Sequence, residues 1–476
     1  MIGRHFIGGT WVGDPAQTTL NPSDLSEIVG TYAEGDALVV DLAVKAAQAA
    51  QPHWARTTPW QRHQILEAAS RELLARTDEL GKLLAQEEGK TLPEAKGEVM
   101  RAGQIFAFYA GEALRLQGER GASVRPGVDV EVDRSPLGVV GLITPWNFPI
   151  AIPAWKAAPA LAYGNAVVMK PSEVAPGCAV ALAEILQRAG LPDGVFNLVL
   201  GSGGQLGATL AAHPGLNGLS FTGSQATGKA IAAQGAGRLL RLQLEMGGKN
   251  PLIVLDDASL EVAVECAVQG AFFSTGQRCT ASSRLIVTGG IHDRFVHALV
   301  ERMKGLRVGH ALEPATHIGP VVNEAQWAKN LRWLERGKAD GGRLICGGEH
   351  LERGTRGWFQ APALFVDTHN DMPLNQEEVF GPIASVICAK HADEALELAN
   401  ATPFGLSAGI CTTSLRHASE FKRRIQAGMR MVNLPTAGVD FHVPFGGMKG
   451  SSFGPREQGG SAKDFYTVLT TTYQAP

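Results

Sequence analysis

"GVVGLITPWNFP" (residues 138–149) opens as a short apolar strand and closes in a turn held between two prolines. Three further runs repeat the strand: "NAVVMKPSE" (165–173), "GVFNLVLG" (194–201) and "LNGLSFTGS" (216–224). Helical segments at 153–162 and 176–189 separate the first of them. Short runs that stay apolar along their length read as strands buried on both faces, and their alternation with helices predicts a parallel sheet. A second alternating series extends from "NPLIVLDD" (250–257) to about residue 433. The fold class is therefore α/β. Upstream, "DLAVKAAQAA" (41–50), with Asp41 as N-cap, and residues 62–86 read as amphipathic helices. Two segments break the rhythm. "ASVRPGVDVEVDRS" (122–135) alternates polar and apolar residues as a half-exposed hairpin does, and "DFYTVLTTTY" (464–473) is equally β-rich. They are expected to pair with each other or with another subunit.

The chain has 476 residues, enough for two to three domains. With 45% hydrophobic and 19% charged residues and a net charge of −3, it carries no basic footprint for nucleic acid. No apolar run is long enough to span a membrane, and "MIGRHFIGGTWVG" lacks the pattern of a signal peptide. The six cysteines form no CxxC pair and have no His-rich companion. Neither a disulfide framework nor a metal site is expected, and a reducing cytoplasm is the simplest compartment.

One cysteine stands apart. "STGQRCTASSR" (274–284) sets Cys279 among small polar residues beside Arg278. Free cysteine is ordinarily a core hydrophobe, but a neighbouring positive charge favours a reactive thiolate. "LEMGGKNP" (244–251) places Glu245 before a Gly-Gly turn, as a general base of raised pKa or as a surface-turn glutamate. In "PWNFP" (145–149) the Asn147 amide either stabilises an oxyanion or satisfies the turn. "GSGGQLG" (201–207) is one residue longer than a dinucleotide fingerprint. In "FTGSQATG" (221–228), Gly223 permits close approach of a phosphate and Ser224 caps a helix or binds the phosphate. In "KPSE" (170–173), Lys170 and Glu173 suit ribose hydroxyls, and helix capping is the alternative.

Seven of these segments occur in a fixed order: "PWNFP", "KPSE", "FTGS", "LEMGGKNP", "GQRCT", "EEVFGP" (377–382) and "PFGGMKGS" (444–451). In that order the chain resembles the aldehyde dehydrogenase superfamily over nearly its whole length. The resemblance implies a Rossmann-type NAD(P)-binding domain (1–115 and 137–246) and an α/β catalytic domain (247–458). A small β bridging element (116–136 and 459–476) would join subunits into a dimer or tetramer. It implies Cys279 as nucleophile, Glu245 as the base that activates water, and Asn147 as oxyanion donor beside the Cys279 amide. Lys156 and Glu457 match positions linked to proton relay, and a structural ion pair serves equally well. Lys170, Glu173, Gly223 and Ser224 would hold the adenosine and pyrophosphate, the Gly203 run would border the adenine pocket, and Trp146 and Ser172 would also bind the cofactor. Glu378 would bind the nicotinamide ribose and Phe380 would pack on the ring. NAD is the expected cofactor because Glu173 repels a 2′-phosphate, with NADP admitted if Glu173 swings outward.

The substrate is then a small aldehyde. Arg278 either pairs with a substrate carboxylate or tethers its own loop. "LPTAGVDFHVPFGG" (434–447) brings His442 toward the same mouth, with Phe148, Trp155, Phe273 and Phe445 as walls. That pattern resembles the branch acting on 2-oxoglutarate semialdehyde (2,5-dioxopentanoate). The rival readings are dehydrogenation of succinate semialdehyde or a neutral aldehyde, a cofactor-independent thiol esterase, and a noncatalytic binding protein.

Overall fold

In the computed structural model, which describes residues 1–476, Val139–Ile143 lies parallel to Ala166–Lys170 on one side and to Gly218–Thr222 on the other. Side chains alternate across this sheet: Val140, Leu142, Val167 and Met169 enter one core, while Val139, Ile143, Ala166 and Val168 enter the opposite one. Burial on both faces is why these runs show no polar alternation in sequence. The full order is Ser452–Phe453, Arg241–Glu245, Gly218–Thr222, Val139–Ile143, Ala166–Lys170, Phe196–Leu198, His5–Ile7 and Thr10–Val12. Connectivity reverses between Val139–Ile143 and Gly218–Thr222, so a crevice opens at their carboxyl ends, where open α/β sheets bind ligands.

The second series forms a seven-stranded sheet: Arg343–Cys346, Ala363–Val366, Ile383–Ala389, Arg284–Thr288, Pro251–Val254, Ser407–Cys411 and Met429–Val432. All neighbours are parallel except the antiparallel edge strand Arg343–Cys346. Leu252, Val254, Leu285 and Val287 face one core, and Ile253 and Ile286 face the other. Residues 246–250 link the carboxyl end of Arg241–Glu245 to the start of Pro251–Val254. The functional crevice therefore lies between the carboxyl edge of the first sheet and the amino edge of the second.

The two β-rich segments pair with each other. Thr467–Gln474 lies antiparallel to Asp129–Pro136, which forms a hairpin with Glu119–Ala122. Thr467–Gln474 is one of the two outer strands, exposing Leu469 and Tyr473.

Several elements depart from the sequence reading. Asp36, not Asp41, caps the first helix (Ala37–Ala55), accepting from the amides of Leu38 and Val39. Asp41 lies one turn inside and pairs with Lys45 at 2.7 Å. The span 62–86 is two helices, Pro59–Ala75 and Thr77–Glu88, broken at Arg76. Residues 203–207 form a widened helical turn capped by Ser202 rather than a nucleotide fingerprint. Strands Ile2–Gly3, Pro15–Asn21 and Asp24–Ala33 make an additional small sheet. Within the span 247–458, Ser452–Phe453 returns to pair with Leu244–Glu245 in the first sheet.

Candidate active site

Cys279 follows a loop of unusual backbone. Ser274, Thr275 and Gly276 hold φ of 50°, 58° and 65° in succession, a conformation costly for the two residues with a Cβ. At Gly276 glycine is required, since a Cβ would lie 2.2 Å from the Gly381 carbonyl oxygen. The loop is held from outside. Glu94 Oε1 accepts from the Ser274 amide at 2.9 Å and its hydroxyl at 3.0 Å, while Thr275 Oγ1 donates to the carbonyls of Gly319 and Pro320. Beyond the thiol, Asn250 Nδ2 donates to the carbonyls of Cys279 and Ala281.

Arg278 does not activate the thiol. Its guanidinium donates to Glu94 Oε1 at 2.9 Å and to Ser274 Oγ at 2.7 Å, so it tethers the loop. Burial pushes the Cys279 thiol up to about 12, with the carboxylates of Glu378 and Glu245 adding to the shift. The amides of Cys279 and Thr280, directed at the sulfur, pull the other way.

Asn147 Nδ2 donates to the Gln277 carbonyl at 3.0 Å, which fixes the amide beside the nucleophile loop. Its turn rests on a buried charge cluster absent from the sequence reading. Lys90 Nζ donates to the Asn147 carbonyl at 2.7 Å and pairs with Glu98 at 2.6 Å. Glu98 Oε1 accepts from the amides of Ile150 and Ala151 at the start of helix Ala151–Ala162. The charged run "EGKTLPEAKGE" (88–98) was the available trace, but such a run ordinarily marks a solvated helix start.

Glu245 ends strand Arg241–Glu245, buried, with Ser452 Oγ donating to its Oε2 at 2.5 Å. Burial raises its carboxyl well above the usual range, and the negative charge of Glu457 raises it further. Glu457 forms a buried ion pair with Lys156, whose Nζ also donates to Ser220 Oγ at 2.7 Å. Glu457 Oε2 has no partner.

A cavity of about 190 Å³ opens at the crevice where the strand order reverses. Trp146, Asn147, Gly223, Ser224, Cys279, Glu378 and Phe380 all line it. Ser224 caps helix Gln225–Ala236, so amides at a helix start face the opening. Gly223 is required by packing, since a Cβ would lie 2.5 Å from the Phe221 ring. Trp146 and Phe380 meet edge to face at 5.4 Å. Glu378 is half-buried, accepts from the Gly248 amide at 3.0 Å, and is raised to about 7 by desolvation. Gln326 and Lys329 also line it, and neither stood in a recognisable motif.

Lys170, Glu173 and Gly203 gather at the end of the neighbouring strand. Lys170 Nζ pairs with Glu173 at 2.9 Å, and a Cβ on Gly203 would touch both side chains at 3.4 Å. Burial pushes the Glu173 carboxyl up, but Lys170 and backbone amides outweigh it and the net shift is downward. Ser172 differs from its expected role: its hydroxyl turns back to accept from the Val174 amide.

Of the expected walls, Trp155 and Phe445 pack at 5.3 Å, and the Trp155 indole N–H is buried without a partner. The Phe148 ring lies 4.1 Å from Lys90 Nζ, and Phe273 packs on the second-sheet core. His442 is exposed, its ring edge-on to Phe441, and it is not among the residues lining the cavity.

A buried carboxyl, an amide donor and a cysteine on a pinned loop thus meet a helix-start crevice between two α/β sheets. The aldehyde dehydrogenase family model matches residues 11–472. The chain belongs to the aldehyde dehydrogenase family. It is 44% identical over 479 residues to the alpha-ketoglutaric semialdehyde dehydrogenase of Bacillus subtilis (strain 168), covering 99% of this chain and 98% of that protein. It is 41% identical to the 2,5-dioxopentanoate dehydrogenase of Saccharolobus solfataricus, covering 96% of this chain and 95% of that one. Among solved structures, betaine aldehyde dehydrogenase from Staphylococcus aureus in complex with NAD+ superposes with a TM-score of 0.97 at 32% identity. That match covers 99% of this chain and 95% of the other. This aldehyde dehydrogenase is an NAD(P)-dependent oxidoreductase acting on an aldehyde. No helix is long and apolar enough to cross a membrane.

Proposed function

We propose that this aldehyde dehydrogenase oxidises 2-oxoglutarate semialdehyde (2,5-dioxopentanoate) to 2-oxoglutarate, with Cys279 as nucleophile, Asn147 as oxyanion donor and Glu245 as hydrolytic base. The observation that carries the chemistry is the convergence of Cys279, Asn147, Trp146 and Glu378 on one crevice. The full-length similarity to two relatives named for this semialdehyde carries the substrate.

The Cys279 thiolate adds to the aldehyde carbon, giving a thiohemiacetal whose oxyanion meets the Cys279 amide and the Asn147 side chain. One such donor is worth about 2.7–4 kcal/mol. The crevice fits a dinucleotide: helix-start amides at Ser224 suit a pyrophosphate, and the Lys170–Glu173 pair suits ribose hydroxyls. Gly203, Trp146 and Phe380 flank it, while Ser172 acts only through the turn. A nicotinamide held there would supply the hydride acceptor. Loss of hydride leaves a thioester on Cys279. Glu245 takes a proton from water, the hydroxide attacks the thioester carbon, and the acid departs as the thiol is restored. Glu457 and Lys156 would pass the proton onward. The hydrolytic base argues against transfer of the acyl group to coenzyme A.

A substrate panel tests the reading. kcat/KM for 2,5-dioxopentanoate should exceed that for succinate semialdehyde, and both should exceed pentanal and benzaldehyde. A lead for either neutral aldehyde would remove the semialdehyde acid from consideration.

NAD should be preferred to NADP by about ten- to a hundredfold in kcat/KM, because Glu173 withholds a hydrogen bond from, and repels, a 2′-phosphate. Glu173→Gln should narrow that ratio, and an unchanged ratio would place the ribose elsewhere.

We also infer a homo-oligomer, a dimer or tetramer, bridged by residues 116–136 and 459–476. Support comes from the unpaired outer edge of Thr467–Gln474, which exposes Leu469 and Tyr473. Light scattering at micromolar concentration should give at least twice the chain mass, and removal of residues 467–476 should reduce it. The same reading sets residues 1–115 and 137–246 as the cofactor domain and assigns most of 247–458 to the catalytic domain. Six free cysteines support a reducing cytoplasm.

A further inference from the structure

Helix Leu92–Ala113 carries Glu94, Glu98 and Arg101 at spacings of four and three, which stacks them along one face. Two of the three are ion-paired: Glu94 holds Arg278 as well as Ser274, and Glu98 holds Lys90 as well as the Ile150 and Ala151 amides. Arg101 does not fit the pattern. It is partly buried, donates to the Val439 carbonyl and reaches Gln458 Oε1 only at 3.5 Å. Asp440 and Glu98 stand close enough to act on its charge, yet neither pairs with it. Gln458 is fully buried, and its Nε2 has no partner.

Buried donors without acceptors are costly, and a cation without an anion more so. An unpartnered amide donor beside a guanidinium that has no paired anion suits an acceptor with two oxygens and a negative charge. At 1.5 Å rise per residue, Arg101 stands about 10 Å along the helix from Glu94, which pins the nucleophile loop. That offset sets Arg101 about two turns beyond the residue that holds the loop, on the same helix face and with no paired anion. Arg278 has no such freedom, because Glu94 already occupies it.

We propose that Arg101, with the Gln458 amide beside it, binds the terminal carboxylate of the substrate and sets the preference for a semialdehyde acid. This rests on the carboxylate-bearing substrate proposed above. The experiment measures kcat/KM for 2,5-dioxopentanoate and for pentanal in wild type, Arg101→Met, Arg101→Lys and Gln458→Glu. The ratio between the two aldehydes should fall about ten- to a hundredfold in Arg101→Met. It should fall at least as far in Gln458→Glu, where the protein itself supplies the missing carboxylate, and Arg101→Lys should recover part of it. Glutarate should compete with 2,5-dioxopentanoate in wild type and weaken in the same order. If wild type favours the acid and the ratio survives both Arg101→Met and Gln458→Glu, Arg101 is not the anchor and the substrate reading stands. If wild type itself favours pentanal, the substrate reading fails and the anchor with it. Should Arg101→Met fail to fold by thermal melting, Gln458→Glu and glutarate competition against Arg101→Lys decide. An undiminished ratio together with undiminished competition overturns the proposal.

Discussion

Replacing Cys279 with alanine should abolish aldehyde oxidation, by on the order of 10⁴–10⁶-fold, while NADH still binds. The size follows from the mechanism, since without the sulfur no covalent adduct forms and neither the oxyanion donors nor Glu245 has anything to act on. The fold should tolerate the change. Cys279 is only partly buried, and the loop is fixed by Ser274, Thr275 and the Cys279 carbonyl, none of which needs the thiol. Fluorescence titration with NADH, beside absorbance at 340 nm with aldehyde, separates the two effects. Retained oxidation would return Cys279 to the role of a polar-loop cysteine. The raised thiol pKa adds a corollary: alkylation of the free enzyme at neutral pH should be slow and should quicken when NAD is bound.

Glu245→Gln should give one rapid equivalent of NADH per active subunit, followed by turnover slowed about 10²–10⁴-fold. Acylation precedes the step that needs the base, so the first hydride transfer is spared and the thioester accumulates. The Ser452 hydroxyl can donate to a glutamine oxygen as it does to Glu245 Oε2, so the substitution is nearly isosteric. The pH dependence follows from the same environment. Burial and then Glu457 raise the Glu245 pKa, so the base is protonated in acid and becomes competent only above that raised value. In wild type, kcat should therefore rise with pH through an apparent pKa well above an ordinary carboxylate's, and in Glu245→Gln that limb should vanish. Rapid-quench measurement of the burst and mass detection of the acyl-enzyme check both. Normal steady-state turnover would transfer the base's role to another group.

The strands were legible because each is an unbroken apolar run ended by glycine, proline or a short polar turn. The doubly covered core behind Val139–Ile143 and Pro251–Val254 leaves no other use for such runs. Cys279, Glu245 and Asn147 stand out in the sequence because each sits in a setting unusual for its residue type; the fold brings Cys279 and Asn147 to one cavity and buries Glu245 at a strand end. Arg278 was legible only as a charge. Its direction depends on the backbone at Ser274–Gly276 and on Glu94, more than 180 residues earlier. The supports at Lys90, Glu94 and Glu98, like Arg101, were hidden for a related reason. Charges three and four apart on a helix normally describe a wet face, and only packing against the turn at 147–151 makes this one dry. Burial, not residue type, carried that information.

The pinned loop before the nucleophile also bears on the working life of the enzyme. Two residues with a Cβ are kept in a left-handed twist that costs about 1–3 kcal/mol apiece, and what keeps them there is a handful of contacts from other elements. The loop is thus a cocked latch mounted on a much sturdier frame. On mild heating the latch should release before either sheet unfolds, so activity should be lost below the melting temperature read by circular dichroism. Delaying that loss means strengthening the grip of Glu94 and its neighbours, not packing the cores more tightly.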